Sequence, residues 1–169
     1  MSAATRLGLC GLVLALSFAL TYAGYSAATQ FGDGDNCGSN TNGTNGADVY
    51  FMGGGSDCAH MLDGGDFLDG QGGNDGPLDG DEGPDWIIGG AGDDTVHGEY
   101  GGDLEDGQDD GDQVADLRGI DTLKGGPNGD IVNARDGSAG DTVNGGDGFN
   151  DVCSFDSGDD WSGCETAAN

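Results

Sequence analysis

The sequence predicts an all-β chain wound as a parallel coil of short strands, and three observations predict it. Aspartate recurs at intervals of nine residues through most of the chain. An apolar residue stands two places after nearly every such aspartate, and glycine stands two places before most of them. Self-similarity at a fixed short period is the mark of a stacked-repeat architecture, in which each unit buries its apolar face only against its neighbours.

Composition limits the alternatives. The chain has 169 residues, of which 38 are Gly, and carries 32 Asp and Glu against 4 Lys and Arg. Without order in the sequence, that composition would mean disorder. Apolar content is too thin for an ordinary core, so one small domain is expected. A net charge of -28 argues against nucleic acid and anionic membranes as partners and points to cations.

From the N-terminus, Arg6 precedes the apolar run Leu7–Leu20, "LGLCGLVLALSFAL", followed by the small residues of "TYAGYSAAT". That order predicts a secretory signal peptide over residues 1–28, cleaved after Ala23 or Ala28. The run is short for a membrane span of roughly 20 residues. The mature chain is therefore expected to be secreted and extracellular, with no stable membrane insertion. Cys10 would leave with the signal, so Cys37, Cys58, Cys153 and Cys164 remain. Four cysteines in an exported chain suggest two disulfides with three possible pairings, of which position favours Cys37–Cys58 and Cys153–Cys164. No CxxC pair supports a zinc site. Residues 29–42 are expected to cap the coil.

The repeat occupies residues 43–162. Its aspartates are Asp48, Asp57, Asp66, Asp75, Asp85, Asp94, Asp103, Asp112, Asp121, Asp130, Asp141 and Asp159, with Asn150 in the remaining place. The residues two places on are Tyr50, Ala59, Leu68, Leu78 (displaced by Pro77), Ile87, Val96, Glu105, Val114, Leu123, Val132, Val143, Val152 and Trp161. Glu105 alone is not apolar. Each unit thus reads as six turn residues and three strand residues, of which only the middle one points inward. Two units make one coil, so the thirteen units make about six and a half coils.

Turn order implies a ligand. Glycines permit positive φ and let successive carbonyl oxygens aim at one point, to which the aspartate adds a carboxylate. Converging hard oxygens suit Ca²⁺, which takes 6–8 of them at ~2.3–2.6 Å. Turns two units apart lie above one another, so ions would bridge coils in two stacks. One stack holds Asp48, Asp66, Asp85, Asp103, Asp121, Asp141 and Asp159, and the other holds Asp57, Asp75, Asp94, Asp112, Asp130 and Asn150. Carboxylates a strand spacing apart, ~4.8 Å, repel unless a cation lies between them. The chain is therefore expected to fold only with calcium.

The unit "GGAGDDTVH" matches G-G-x-G-x-D-x-U-x throughout, and the chain resembles the RTX (repeats-in-toxin, hemolysin-type) calcium-binding family over about 120 of its 169 residues. The resemblance implies a right-handed parallel β-roll, with multiple Ca²⁺ ions held by turn carbonyls and the aspartates named above. Departures are an N-terminal signal, cysteines, and no room for a catalytic domain. The turns "MLDGGD", "GQDDGD" and "DGSAGD" each miss glycines of the pattern and are expected to bind poorly. Extra residues near Pro77 and at Ala134–Arg135 are expected to bulge or break the stack.

The ending "CSFDSGDDWSGCE" places Trp161 at an inward site with Cys164 beyond it, which reads as a cap before a tail at 163–169. His60 and His97 close their units, and neither HExxH nor GxSxG is present. The functional expectation is a non-enzymatic calcium-binding protein with a structural, surface or interaction role. The alternatives are an ice-binding or adhesion solenoid, or an accessory folding or secretion module for a separate enzyme. Against ice binding, the third turn place (Asn45, Gly54, Asp63, Gly72, Glu82, Ala91, Tyr100) forms no threonine row.

Overall fold

The computed structural model describes residues 29–31 and 42–168. The expected signal peptide, Cys10 and Cys37 lie outside them. Among the described residues every regular element is a β-strand. Triplets such as "TVH", "IVN" and "TVN" are rich in β-branched side chains, which fit a pleated surface.

The strands form two facing parallel sheets. The first contains β1 (Thr29–Phe31), β2 (Val49–Phe51), β4 (Phe67–Gly72), β7 (Trp86–Ala91), β10 (Leu104–Asp109), β12 (Thr122–Asn128), β14 (Thr142–Gly148) and β16 (Asp160–Ser162), hydrogen-bonded in that order. The second runs through β3 (Ala59–His60), β5 (Leu78–Asp79), β8 (Thr95–His97), β11 (Gln113–Ala115), β13 (Ile131–Asn133), β15 (Val152–Ser154) and β17 (Thr166–Ala168). β6 (Glu82–Gly83) and β9 (Tyr100–Gly101) pair along one line of turns. The chain alternates between sheets once per unit, so it is a β-solenoid of two strands per coil. Thr29–Phe31, in the expected cap, already pairs with β2, and Thr166–Ala168, in the expected tail, pairs with β15.

Register stacks like residues. Tyr50, Leu68, Ile87, Glu105, Leu123 and Val143 form one inward column. Ala59, Leu78, Val96, Val114, Val132 and Cys153 form the other. Both extra-residue segments are absorbed in turns. Leu78, after Pro77, pairs on both sides, and β13 before Ala134–Arg135 does too.

Three expectations need correction. First, five strands of the first sheet run six or seven residues rather than three. Alternation does not stop at the apolar residue: the aspartate, the apolar residue and the first residue of the next unit all face inward, as in Asp85, Ile87 and Gly89. The backbone stays extended through all of them. Second, the twelfth unit shifts by one residue. Asp151, wholly buried, replaces Asn150, and Cys153 replaces Val152, which is 40% exposed. Third, Trp161 keeps register with Val143 but lies on the last rung, half exposed, stacked on Phe155 at 5.2 Å.

Cys153 is bonded to Cys164, with Cα atoms 5.9 Å apart. Cys58 is also disulfide-bonded, and Cys37, its expected partner, is outside the described residues. The Cys153–Cys164 bridge ties the C-terminal coil to the inward column. Closing a loop of that size removes roughly 3 kcal/mol of unfolded-chain entropy. Reduction is expected to raise amide exchange in β15–β17 first, with mid-roll strands still protected; uniform exchange across the roll would contradict that role.

Candidate metal centre

The inward place opened by the first residue of each unit decides what the aspartate meets. Near the ends that residue is Met52, Met61, Ala134 or Phe155, and hydrocarbon fills the space. Through the middle it is Gly70, Gly80, Gly89, Gly98, Gly107, Gly125 or Gly145, all but one flanked by a carboxylate oxygen. A Cβ added to Gly89 would lie 2.6 Å from Asp94 Oδ2 and 2.8 Å from the carbonyl oxygen of Gly107. One added to Gly80 would lie 2.7 Å from Asp85 Oδ2 and 2.9 Å from Gly98 O. The missing side chain thus leaves a cradle lined by carboxylate and carbonyl oxygens.

Each carboxylate is held by the coil before it. The N–H of Asp48 donates to Asp66 Oδ1 at 2.7 Å, that of Asp66 to Asp85 at 2.7 Å, and that of Asp85 to Asp103 at 2.7 Å. The same ladder continues through Asp121 and Asp141. In the second stack, Asp57 donates to Asp75, Asp75 to Asp94, Asp94 to Asp112 and Asp112 to Asp130, all at 2.8 Å. Asp130 then donates to Asp151 at 2.9 Å. One oxygen of each aspartate is satisfied this way.

The other oxygen is not. Oδ2 of Asp66, Asp75, Asp85, Asp94, Asp103, Asp112, Asp130 and Asp151 is buried with no hydrogen-bond partner. A buried unsatisfied carboxylate oxygen is costly and calls for a cause. Burial accordingly pushes the carboxyls of Asp66, Asp75, Asp85, Asp94 and Asp141 up to about 6, opposed by the N–H donated to each from the preceding coil. Asp103 and Asp112 are pushed to about 7 for the same reason. Asp121 and Asp130 are also raised by burial.

The ladder aspartates are therefore not equivalent. The second stack holds consecutive glycine cradles for Asp75, Asp94, Asp112, Asp130 and Asp151. The first stack is interrupted: Met61 precedes Asp66, and Asp116 stands where a glycine should precede Asp121. Asp57 follows Met52. At the ends, Asp48 accepts from the Thr44 hydroxyl and N–H. Asp159, only half buried, accepts from Gly140 and Asp156. "GQDDGD" keeps a complete cradle, because its first residue, Gly107, is the glycine that matters.

Sequence reasoning missed Asp116, Asp151 and the role of Glu105. Asp151 was signalled by "DVC", an aspartate two places before an apolar residue, but strict nine-residue spacing favoured Asn150. The two histidines lie on the outer face of the second sheet, where Asp79 accepts from both: His60 Nδ1 is 2.8 Å and His97 Nδ1 2.9 Å from its carboxylate. Comparison with family models, curated proteins and solved structures finds no match for the chain. Fold and site define a β-solenoid with buried carboxylate ladders compatible with a structural cation-binding role.

Proposed function

We propose that the chain is a secreted, non-enzymatic calcium-binding β-solenoid of RTX type, which folds as it takes up several Ca²⁺ ions. One observation carries the reading: buried, unpartnered Asp Oδ2 atoms face glycine cradles also lined by carbonyl oxygens. Carboxylate and carbonyl are the hard donors that Ca²⁺ prefers, and no nitrogen or sulfur is among them. Asp75, Asp94, Asp112, Asp130 and Asp151 would hold ions in one stack, and Asp85 in the other. A bound ion would neutralise carboxylates that otherwise repel, tying one coil to the next. The Cys153–Cys164 bridge supports an oxidising, extracellular setting.

Titration with Ca²⁺, followed by equilibrium dialysis and circular dichroism, is expected to show several ions bound as β-sheet signal appears. Half-saturation should fall near the ~10⁻⁴–10⁻³ M range of extracellular modules. Mg²⁺ should not substitute, because it demands a smaller, near-octahedral shell. An absence of bound calcium at millimolar concentration, or an equal response to Mg²⁺, would overturn the proposal.

A further inference from the structure

The roll breaks its own repeat at two neighbouring places, and both breaks put a carboxylate beside Gly98. In the column of first residues, Asp116 follows Gly80 and Gly98 at the same stacking position. Its side chain is buried. Oδ1 accepts from the N–H groups of Leu117 at 2.5 Å and Arg118 at 3.1 Å, and Oδ2 has no partner. A Cβ on Gly98 would meet Asp116 Oδ2 and, at 2.8 Å, Asp103 Oδ2. At Gly80 and Gly89 a backbone carbonyl occupies the place that Asp116 takes here. Carboxylate oxygens of Asp103, Asp116 and Asp121 lie within 4.8 Å of one another.

Glu105 is the second break and an independent one. It sits in the inward column between Ile87 and Leu123 and is wholly buried. Oε1 accepts from the Gly98 N–H at 2.5 Å, the residue whose open side faces Asp103 and Asp116, and Oε2 has no partner. A leucine would fill this column at far lower cost, since a buried unpaired carboxylate is strongly unfavourable. Ionised, it needs a positive charge beside it, and among the described residues no Lys or Arg is paired with it.

We propose that Asp103, Asp116 and Asp121, with the Glu105 carboxylate beside them, form a separate site for one hard divalent cation, built mainly from side-chain carboxylates, and that it fills before the turn cradles. This rests on the reading that the roll binds calcium, but it concerns a different donor set. A turn cradle offers one carboxylate with carbonyls, whereas here three carboxylates lie within 4.8 Å of one another with a fourth beside them, and ligand charge tunes Ca²⁺ affinity.

The test is equilibrium dialysis of the full chain against ⁴⁵Ca²⁺ across a wide range of free calcium, with Glu105→Leu and Asp116→Gly compared. Each substitution restores the residue type that the repeat uses at that place, and circular dichroism at saturating calcium checks that the variants fold. Wild type is expected to bind one ion at about tenfold or more lower free Ca²⁺ than the rest. Both variants should lose that early ion while the later ions still bind. Folded variants that keep the early ion, or a wild type with a single affinity class, overturn this site and leave the turn cradles standing. A wild type that binds no calcium overturns both.

Discussion

Stripped of divalent cations at pH 8, the protein is expected to lose most of its β-sheet circular dichroism, and to regain much of it on acidification to about pH 5 still without metal. The ladder carboxyls supply the reason. In the folded, metal-free chain burial holds them at about 6 to 7, against about 4 for an exposed aspartate in the unfolded chain. Raised folded values mean that the folded state binds more protons between those limits. This stabilisation is fully present below about pH 4 and is lost as pH rises through 6 to 7. At pH 8 the carboxylates are ionised, buried and stacked, and only a cation can compensate. A proton on Oδ2 turns it into a donor for the carbonyl across the cradle, so acid partly replaces the ion. Calcium should move the transition to higher pH and release protons as it binds. Metal-free protein that keeps full β-sheet signal at pH 8 would refute this account.

Asp94→Asn combined with Asp112→Asn should make the fold less dependent on calcium and less able to bind it. Asparagine Oδ1 can still accept the N–H groups of Asp75 and Asp94, which now reach the two carboxylates at 2.8 Å. Its Nδ2 donates where Oδ2 had no partner, into cradles lined by Gly107 O and Gly125 O. A carboxyl held near 6 rather than near 4 costs roughly 3 kcal/mol when ionised, and Asp112, at about 7, somewhat more. The pair should therefore raise metal-free stability at pH 8 by several kcal/mol. Bound calcium at saturation should fall, because two cradles lose their anionic donor. Thermal melts with and without calcium separate the effects. A double variant less stable under both conditions would mean that these carboxylates serve the fold as acceptors alone.

The two effects differ because the repeat is a local property of the chain, whereas the cradle is shared between coils. Spacing along the sequence places Asp94 and Val96 inward, since strand alternation needs only neighbouring residues. It does not say what lies against Asp94 Oδ2, which depends on Gly89 before it and Gly107 in the next coil. Met61 and Gly107 show the difference: both begin turns poor in glycine, yet the methionine fills its cradle and the glycine leaves one open. Asp151 shows another, where pairing of β13 with β15 overrides strict nine-residue spacing and brings Cys153 inward.

From the order of residues alone came the solenoid class, two strands per coil, the two aspartate stacks, most of the inward columns and the Cys153–Cys164 pair. All of these follow from a period that repeats along one dimension. Stacking in three dimensions decided which carboxylates keep an unsatisfied oxygen, which cradles are open, and how Glu105 and Asp116 meet Asp103. Those contacts join residues a full coil apart, where one insertion or one side chain at a glycine place changes what each oxygen faces.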